Sequence, residues 1–439
     1  MKKLFHDLFS RVEGVPFSIT YPDRSTEKYG RAGEPTFNLI FRTEKAMRAI
    51  LVNVELGFGE AYMVGDIDLE GKMTDLMTLV MTMDLIGAFK KVVYNPINIL
   101  RHLPGQVRVF WHYLYQRHTY ENDKRFISEP YDLGNEFYAL WLDKDMQYTC
   151  GYFKTPEDSI DLAQEQKREH VCRKARLQPG ETLLDIGCGW GGMLIYAAQH
   201  YGISGVGVTL SKEQAEESNR RIAKAGLQDR IHVEHADYRD LPKQGRVFDK
   251  VVSVGCLEHV GKENHDLFFK IACESLKPDG TFVLHAISRI KPGSLNAFGR
   301  KHVFPGVYTP SLPEITQCVA NLGMRIHDVE NLRLHYSYTA QRWLDAFEAH
   351  VDQIREMYDE QLVRLFRIYL SHGVADMRCG KNNELYQLII TPGIEQERPL
   401  TRDWLYAADA DAESLGPAGG KPVGAPARAV HGVRGSSSS

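Results

Sequence analysis

The chain lacks any run of eighteen apolar residues, so no segment reads as a helix long and apolar enough to cross a bilayer. It also lacks an excess of charge of one sign. Its 53 basic and 57 acidic side chains leave a net charge of −4, which removes the electrostatic case for nucleic acid as a partner. Cysteine is scarce: Cys150, Cys172, Cys188, Cys256, Cys273, Cys318 and Cys379 are odd in number, match no zinc spacing, and several sit in apolar runs. Neither a disulfide framework nor a metal site is expected, and the reducing cytosol is the natural compartment. The opening MKKLFHDLFSRVEG has two lysines but no long apolar run and no small-residue cleavage site, so it does not read as a secretory leader. No internal repeat is visible. A substrate living in a bilayer would have to be met from the membrane surface.

A local absence is more informative. Between Ile86 and Thr119 there is no acidic residue, while Lys90, Lys91, Arg101 and Arg108 alternate with aromatics such as Phe110 and Trp111. Basic residues mixed with aromatics suit an anionic membrane surface. The alternative is a solvated basic face over an ordinary core, or a dimer contact.

What is present divides into three parts. Residues 1–120 form an N-terminal region, 122–395 carry a long strand–helix alternation, and 408–439 form a Gly-, Ala-, Pro- and Ser-rich tail expected to be disordered. In the first part Leu4, Phe5, Leu8, Phe9 and Val12 share one helix face. Strand-like runs PFSITYP and PTFNLIF follow, then helical patterns near 44–52 and 73–83. In the second part TLLDIG, ISGVGVT, IHVEHAD, VFDKVVSVG and TFVLHAIS read as five strands in order, the last preceded by a Pro-Asp-Gly turn. Short links between strands and helices imply a mostly parallel sheet covered on both faces, with ligands at the carboxyl ends of its strands.

The strongest motif is Asp185-Ile-Gly187-Cys188-Gly189-Trp190-Gly191-Gly192, which follows a strand and opens a helix. Glycines there let the backbone turn tightly and approach a ligand. The spacing also satisfies a dinucleotide fingerprint, but that fingerprint expects an acid at the end of the next strand, where Thr209 stands instead. An acid before the loop, as Asp185 is, fits the S-adenosylmethionine (SAM) pattern D-x-G-x-G-x-G. Trp190 reads equally well as packing.

The runs MQYTCGYF, LLDIGCGWGG, GVTLSKEQ, SVGCLEHVG, LHAIS and HYSYTAQRW, in this order over roughly 122–395, resemble cyclopropane-fatty-acyl-phospholipid synthases and their mycolic acid cyclopropane synthase relatives. The N-terminal run LGFGEAYMVGDIDLEG resembles the longer, two-domain bacterial members. The resemblance implies an α/β class I SAM-dependent methyltransferase, Rossmann-like with a mostly parallel seven-stranded sheet, and a smaller α+β N-terminal domain for lipid or membrane contact or dimerisation. It implies that Tyr148, Thr149, Gly187, Cys188 and Gly189 contact the methionine end of SAM. Thr209, Leu210 and Gln214 would hold the ribose, and Asp237 and Tyr238 would flank the adenine.

It further implies a reaction. An unactivated cis double bond is a poor nucleophile, but a sulfonium methyl is a strong electrophile, so attack is feasible once the two are aligned and dry. The product is a carbocation, and ring closure needs a base that the cation does not alkylate. Family members hold bicarbonate for this task. The implied cage is Cys150, Glu258, His285, Ile287 through its backbone, and Tyr336, with Tyr152 or Phe153 as aromatic faces beside the cation. Each has a plainer reading: Cys150 as a small buried residue, Glu258 as a helix cap, His285 as a hydrogen-bonded core histidine. Two departures from the family pattern stand out: Gly373 replaces a frequent cysteine, and Pro130-Tyr131-Asp132 begins a motif that usually starts with histidine. The activity implied is cyclopropanation of unsaturated acyl chains in membrane phospholipids. Methyl or methylene branching of the chain and small-molecule N-methylation on the same scaffold are the alternatives. The resemblance also implies a cytoplasmic, peripheral enzyme at the inner face of the cell membrane, and a homodimer.

Overall fold

The computed structural model describes residues 1–83, 87, 89, 122–123, 133–393 and 398–406. The basic aromatic stretch, apart from Gly87 and Phe89, lies outside the described residues, as do Pro130-Tyr131-Asp132 and the tail 408–439. Residues 1–394 fall in one compact unit; outside it, Asp403–Tyr406 makes a helical turn.

The N-terminal region is a four-stranded sheet covered by helices. The helix Lys2–Phe9 buries Phe5, Leu8 and Phe9, the face its spacing predicts. Strands β1 (Phe17–Thr20), β2 (Thr26–Tyr29), β3 (Asn38–Phe41) and β4 (Ile67–Glu70) lie in the order β2-β1-β3-β4, with β1 and β3 parallel. Helices Glu44–Val52 and Met73–Thr82 fall where the periodicity places them. Thr43 caps the first, its hydroxyl accepting from Ala46 N at 3.2 Å. A further helix, Val54–Met63, starts at once because Asn53 Oδ1 accepts from Leu56 N at 2.9 Å.

The second sheet has seven strands: β5 (Thr182–Ile186), β6 (Ser204–Thr209), β7 (Ile231–His235), β8 (Phe248–Val254), β9 (Leu276–Arg289), β12 (Arg325–Asn331) and β13 (Asn383–Thr391). Short strands β10 (Gly293–Ser294) and β11 (Tyr308–Thr309) pair apart from it. The order is β12-β13-β9-β8-β5-β6-β7, parallel throughout except for β13, which is antiparallel to both neighbours. Strands β5, β6 and β8 are buried on both faces, hence their near-continuous apolar sequences, whereas β7 at the edge alternates. The Pro-Asp-Gly turn expected before the fifth strand is absorbed into β9: the register jumps from Phe248–Leu276 to Lys250–Thr281, so the extra residues bulge out. The chain runs outward through β5, β6 and β7, then restarts with β8 on the other side of β5. That reversal is the switch point at which doubly wound sheets bind ligands.

Between β12 and β13 the chain inserts helices Arg333–Ala349, Val351–Met357 and Glu360–Cys379. These, with the helix Ala297–His302, meet the N-terminal region. Arg364 Nη1 donates to the carbonyls of Tyr62 (3.0 Å) and Ile67 (3.2 Å). Glu60 pairs with Lys301 and, at 3.0 Å, with His302. A Cβ on Gly59 would lie 2.1 Å from the Phe298 ring, so only glycine permits this approach of the two helices.

Candidate active site

Two cavities meet at the carboxyl ends of the parallel strands. The smaller, about 130 Å³, lies over the glycine turn. The turn leaves β5 through Gly187 at φ 80° and Gly189 at φ 54°, both left-handed, and the helix opens at Gly192. A Cβ on Gly187 would sit 2.6 Å from Cys256 Cβ, whereas one on Gly189 would meet nothing within 4 Å and would only fill the cavity. Tyr148, Thr149, Asp185, Cys188, Thr209, Leu210, Gln214 and Tyr238 all line this space with the two glycines. Thr209 donates to Gln214 Oε1 at 2.8 Å. The buried Tyr238 hydroxyl has no protein partner. An open glycine cradle and an unpartnered buried hydroxyl fit a nucleoside ligand.

Asp237 behaves differently from its neighbours. Its carboxylate accepts from Arg239 Nε at 2.8 Å and Nη2 at 2.6 Å, and Arg239 also pairs with Asp123 at 3.0 Å. Arg239 and Asp123, not Asp237, reach the cavity wall. Trp190 packs into an aromatic cluster, its Nε1 donating to Asn135 Oδ1 at 2.7 Å.

The segment bearing Tyr148, Thr149 and Cys150 has no regular structure and is held from behind by the helix Ile160–Ala175. Gln164 Nε2 donates to Thr149 O at 2.7 Å. Lys167 Nζ donates to Gln147 Oε1 at 2.6 Å and to Thr149 Oγ1 at 3.1 Å. Burial lowers the Lys167 ammonium to about 8 and raises the Asp185 carboxyl to about 7. The polar composition of this helix suggests a solvated face, yet Gln164, Lys167 and Lys174 are buried, and nothing in their spacing distinguishes the two.

The larger cavity, about 620 Å³, is a mostly apolar channel. Its wall includes every member of the expected cage: Cys150, Glu258, His285, Ile287 and Tyr336. Glu258 follows β8, and its Oε1 accepts from the Ile287 amide, so that amide orients Glu258. Burial raises the Glu258 carboxyl to about 7, and its Oε2 is buried without a partner. His285 on β9 faces Gln387 on β13 in direct register. Gln387 Nε2 donates to His285 Nδ1 at 3.2 Å, which places the ring proton on Nε2, and Nε2 is buried without a partner. Burial, then the positive charges of Lys167 and Lys174, push this imidazole down to about 3, so it stays neutral. Burial pushes the Cys150 thiol up to about 12; it donates to Gly151 O at 3.2 Å and is not a thiolate nucleophile at neutral pH. Gln387 carries no sequence signal, because pairing across β9 and β13 brings it to His285.

Tyr152 and Phe153 do not line the channel. Tyr152 is sandwiched between His170 and His335, with ring centroids at 4.3 and 4.8 Å. The aromatic wall is formed instead by Tyr148, Phe304, Trp343 and Tyr369, with Tyr148 donating to the Tyr369 hydroxyl at 3.1 Å. Gly373 also lies on this wall. Four residues, Tyr148, Thr149, Gly255 and His259, belong to both cavities. Among the described residues no group of His, Cys, Asp and Glu is arranged to hold a metal, and no helix is long and apolar enough to cross a membrane.

Comparison with known proteins bears on the family and the fold. Residues 118–388 match the family described as mycolic acid cyclopropane synthetase, and residues 4–84 match a domain of unknown function. A probable fatty acid methyltransferase of Pseudomonas putida is 38% identical over 297 residues, covering 66% of this chain and 75% of its own. The cyclopropane-fatty-acyl-phospholipid synthase of Escherichia coli strain K12 is 37% identical over 276 residues, covering 63% and 70%. The solved structure of mycolic acid cyclopropane synthase CmaA1 with SAH and CTAB superposes with a TM-score of 0.57 at 30% identity, covering 61% of this chain and 97% of that one. With the family match spanning more than half of the chain, the protein belongs to the mycolic acid cyclopropane synthetase family and is a SAM-dependent methyltransferase of the class I fold.

Proposed function

We propose that this enzyme adds the SAM methyl carbon, as a methylene, across the cis double bond of an unsaturated acyl chain in a membrane phospholipid, closing a cyclopropane ring. The observation that carries the reading is the junction of the two cavities. A polar nucleoside site and an apolar channel share Tyr148, Thr149, Gly255 and His259, so a donor and an acyl chain can touch only there. An amine acceptor would call for a compact polar pocket, and the channel is large and apolar. SAM, when bound over the glycine turn, supplies an electrophilic methyl group. The π pair of the alkene forms the new C–C bond as the C–S bond breaks, and sulfur keeps that pair. Loss of a proton from the added methyl closes the ring, so the net products are the cyclopropane, S-adenosylhomocysteine and a proton.

The residues of the cage are suited to hold a small oxyanion. His285 Nε2–H is a neutral donor, and Glu258 Oε2 is unpartnered; both belong to residues of the channel wall, as does Tyr336. Bicarbonate held there would supply the base that takes the methyl proton. Glu258, with a carboxyl near neutrality, would accept or share the proton of that guest, and Cys150 would close the cage as a neutral thiol. Aromatic faces of Tyr148 and Trp343 would stabilise the cation electrostatically.

The test is direct. The purified protein is incubated with SAM and vesicles of unsaturated phosphatidylglycerol, and the fatty acid methyl esters are examined for the mass of one added CH₂. Proton NMR then separates a ring from a methyl or methylene branch, the product class suggested by the Pseudomonas relative's name. A branched product would replace the cyclopropane reading, and no lipid product would end it. The reading includes a peripheral approach to the inner face of the membrane and a homodimer. Flotation with anionic vesicles and light scattering test these.

A further inference from the structure

The channel does not stop at the methyltransferase part. Its wall continues through Phe298 and Gly59 to Phe5, Leu39, Phe41, Ile50, Leu76 and Met77, which belong to the core of the N-terminal region. That is an unusual place for a void. Domain interiors pack at crystal-like density, and an apolar cavity costs stability roughly in proportion to its volume. Leu39 and Phe41 lie on the same face of β3, Phe5 is on the first helix, and Leu76 and Met77 are on Met73–Thr82. Three separate elements thus leave the space open together.

Apart from Glu55, the charged and amide side chains of the channel come from the methyltransferase part. Arg289 at the end of β9 donates to Asn383 Oδ1 at 2.6 Å, and Asn383 donates to Asp376; all three line the channel. An amphiphile threaded past Glu258 and His285 therefore has one comfortable orientation, with its polar end toward Arg289 and Asn383 and its hydrocarbon end toward Phe5 and Phe41.

Resting on the acyl-chain reading above, we infer that the N-terminal domain is a binding site for the methyl-terminal part of the acyl chain and sets how much chain can extend beyond the reacting double bond. Nothing in the match of residues 4–84 to a domain of unknown function assigns this role. Glu55 is the one acidic side chain this region adds to the wall; the rest of the far end, from Phe5 and Leu39 to Leu76 and Met77, is apolar, so the site measures length. Its occupant is a hydrocarbon tail continuous with the chain at the catalytic cage.

The test uses the full chain and two phosphatidylglycerol probes in vesicles, one with a diazirine at the acyl terminus and one with it at mid-chain. After irradiation and digestion, the terminal probe should label peptides from 1–82 and the mid-chain probe peptides from the methyltransferase part. In parallel, Leu39→Trp and Met77→Trp should shift the product ratio several-fold toward shorter acyl chains in a mixed-chain vesicle, while Met77→Leu leaves it unchanged. Terminal labelling confined to the methyltransferase part, absent labelling, or unchanged product ratios in both tryptophan variants would overturn the inference. If the terminal probe labels the N-terminal peptides while no carbon is transferred to any lipid, the acyl-chain site stands and the proposed reaction, with the length selection read from its products, falls.

Discussion

The two cavities share four residues, yet their walls are made by different means. Over the glycine turn the chain uses backbone geometry and polar side chains mostly paired with protein partners: Gly187 and Gly189 in left-handed conformations, Thr209 on Gln214, Arg239 on Asp237, with the Tyr238 hydroxyl left open. These come from the ends of adjacent parallel strands. The channel is made by tertiary assembly, from the N-terminal sheet, the inserted helices and the ends of β8 and β9, and it leaves Glu258 Oε2 and His285 Nε2 without protein partners in an apolar setting. Under the proposed function the first cavity would hold the donor through local backbone and polar contacts, and the second would take the acyl chain against a mostly apolar wall. Damage to one should therefore be separable from damage to the other.

The sharpest test of that separation is the cage. Glu258→Gln and His285→Gln should each lower turnover roughly 10²–10³-fold, the range for removing one preorganised donor, while SAM affinity by calorimetry stays unchanged. If affinity falls with turnover, the two sites are not independent. Arg239→Ala reverses the pattern. It leaves the buried Asp237 carboxylate without its cation, a loss of about 3–5 kcal/mol of stability, and should weaken SAM binding while turnover at saturating SAM is kept.

A pH series reads the same contrast in stability. Folding holds His285 at about 3 against an ordinary 6.5, so the stability it contributes is complete above pH 6.5 and is lost as pH falls toward 3. At pH 5 the loss is about 2 kcal/mol. Glu258 has the opposite sign: held at about 7 against 4.5, its contribution is complete below pH 4.5 and is lost as pH rises through 7. Chemical denaturation of His285→Gln should show a shallower acid-side decline than the parent, and Glu258→Gln a shallower decline toward pH 8. Parallel profiles would remove the buried, neutral His285 from this account. The smallest effect expected is at Asn53→Ala. Losing that cap costs about 1 kcal/mol of stability, and the variant should melt earlier with acyl selectivity altered and SAM affinity intact.

The cavity over the glycine turn is legible in the sequence because its elements are local. DIGCGWGG carries its own turn, and Thr209, Gln214 and Tyr238 follow the strands their sequences announce. Asp237 read the same way, but Arg239 two residues on captures its carboxylate, a competition that spacing does not reveal. Cys150, Glu258, His285 and Tyr336, named through motif resemblance, converge on the channel although they lie far apart in the chain. Their supports were not found. Gln387 reaches His285 only through the antiparallel register of β13, and Lys167 sits in a helix whose composition looks solvated. Tyr152 appeared suited to the cation but is clamped by two histidines. The Val54–Met63 helix was missed because its glycines lower helix propensity; Gly59 is there for the sake of a neighbour.

That neighbour, Phe298, has a wider consequence. Because Gly59 and Phe298 touch and both border the channel, hydrocarbon in the channel lies against both halves of the protein at once. By mass action, any ligand that prefers the docked arrangement strengthens the docking. Membrane lipid would then act as mortar as well as reactant, and the enzyme would be most firmly assembled where its substrate is abundant.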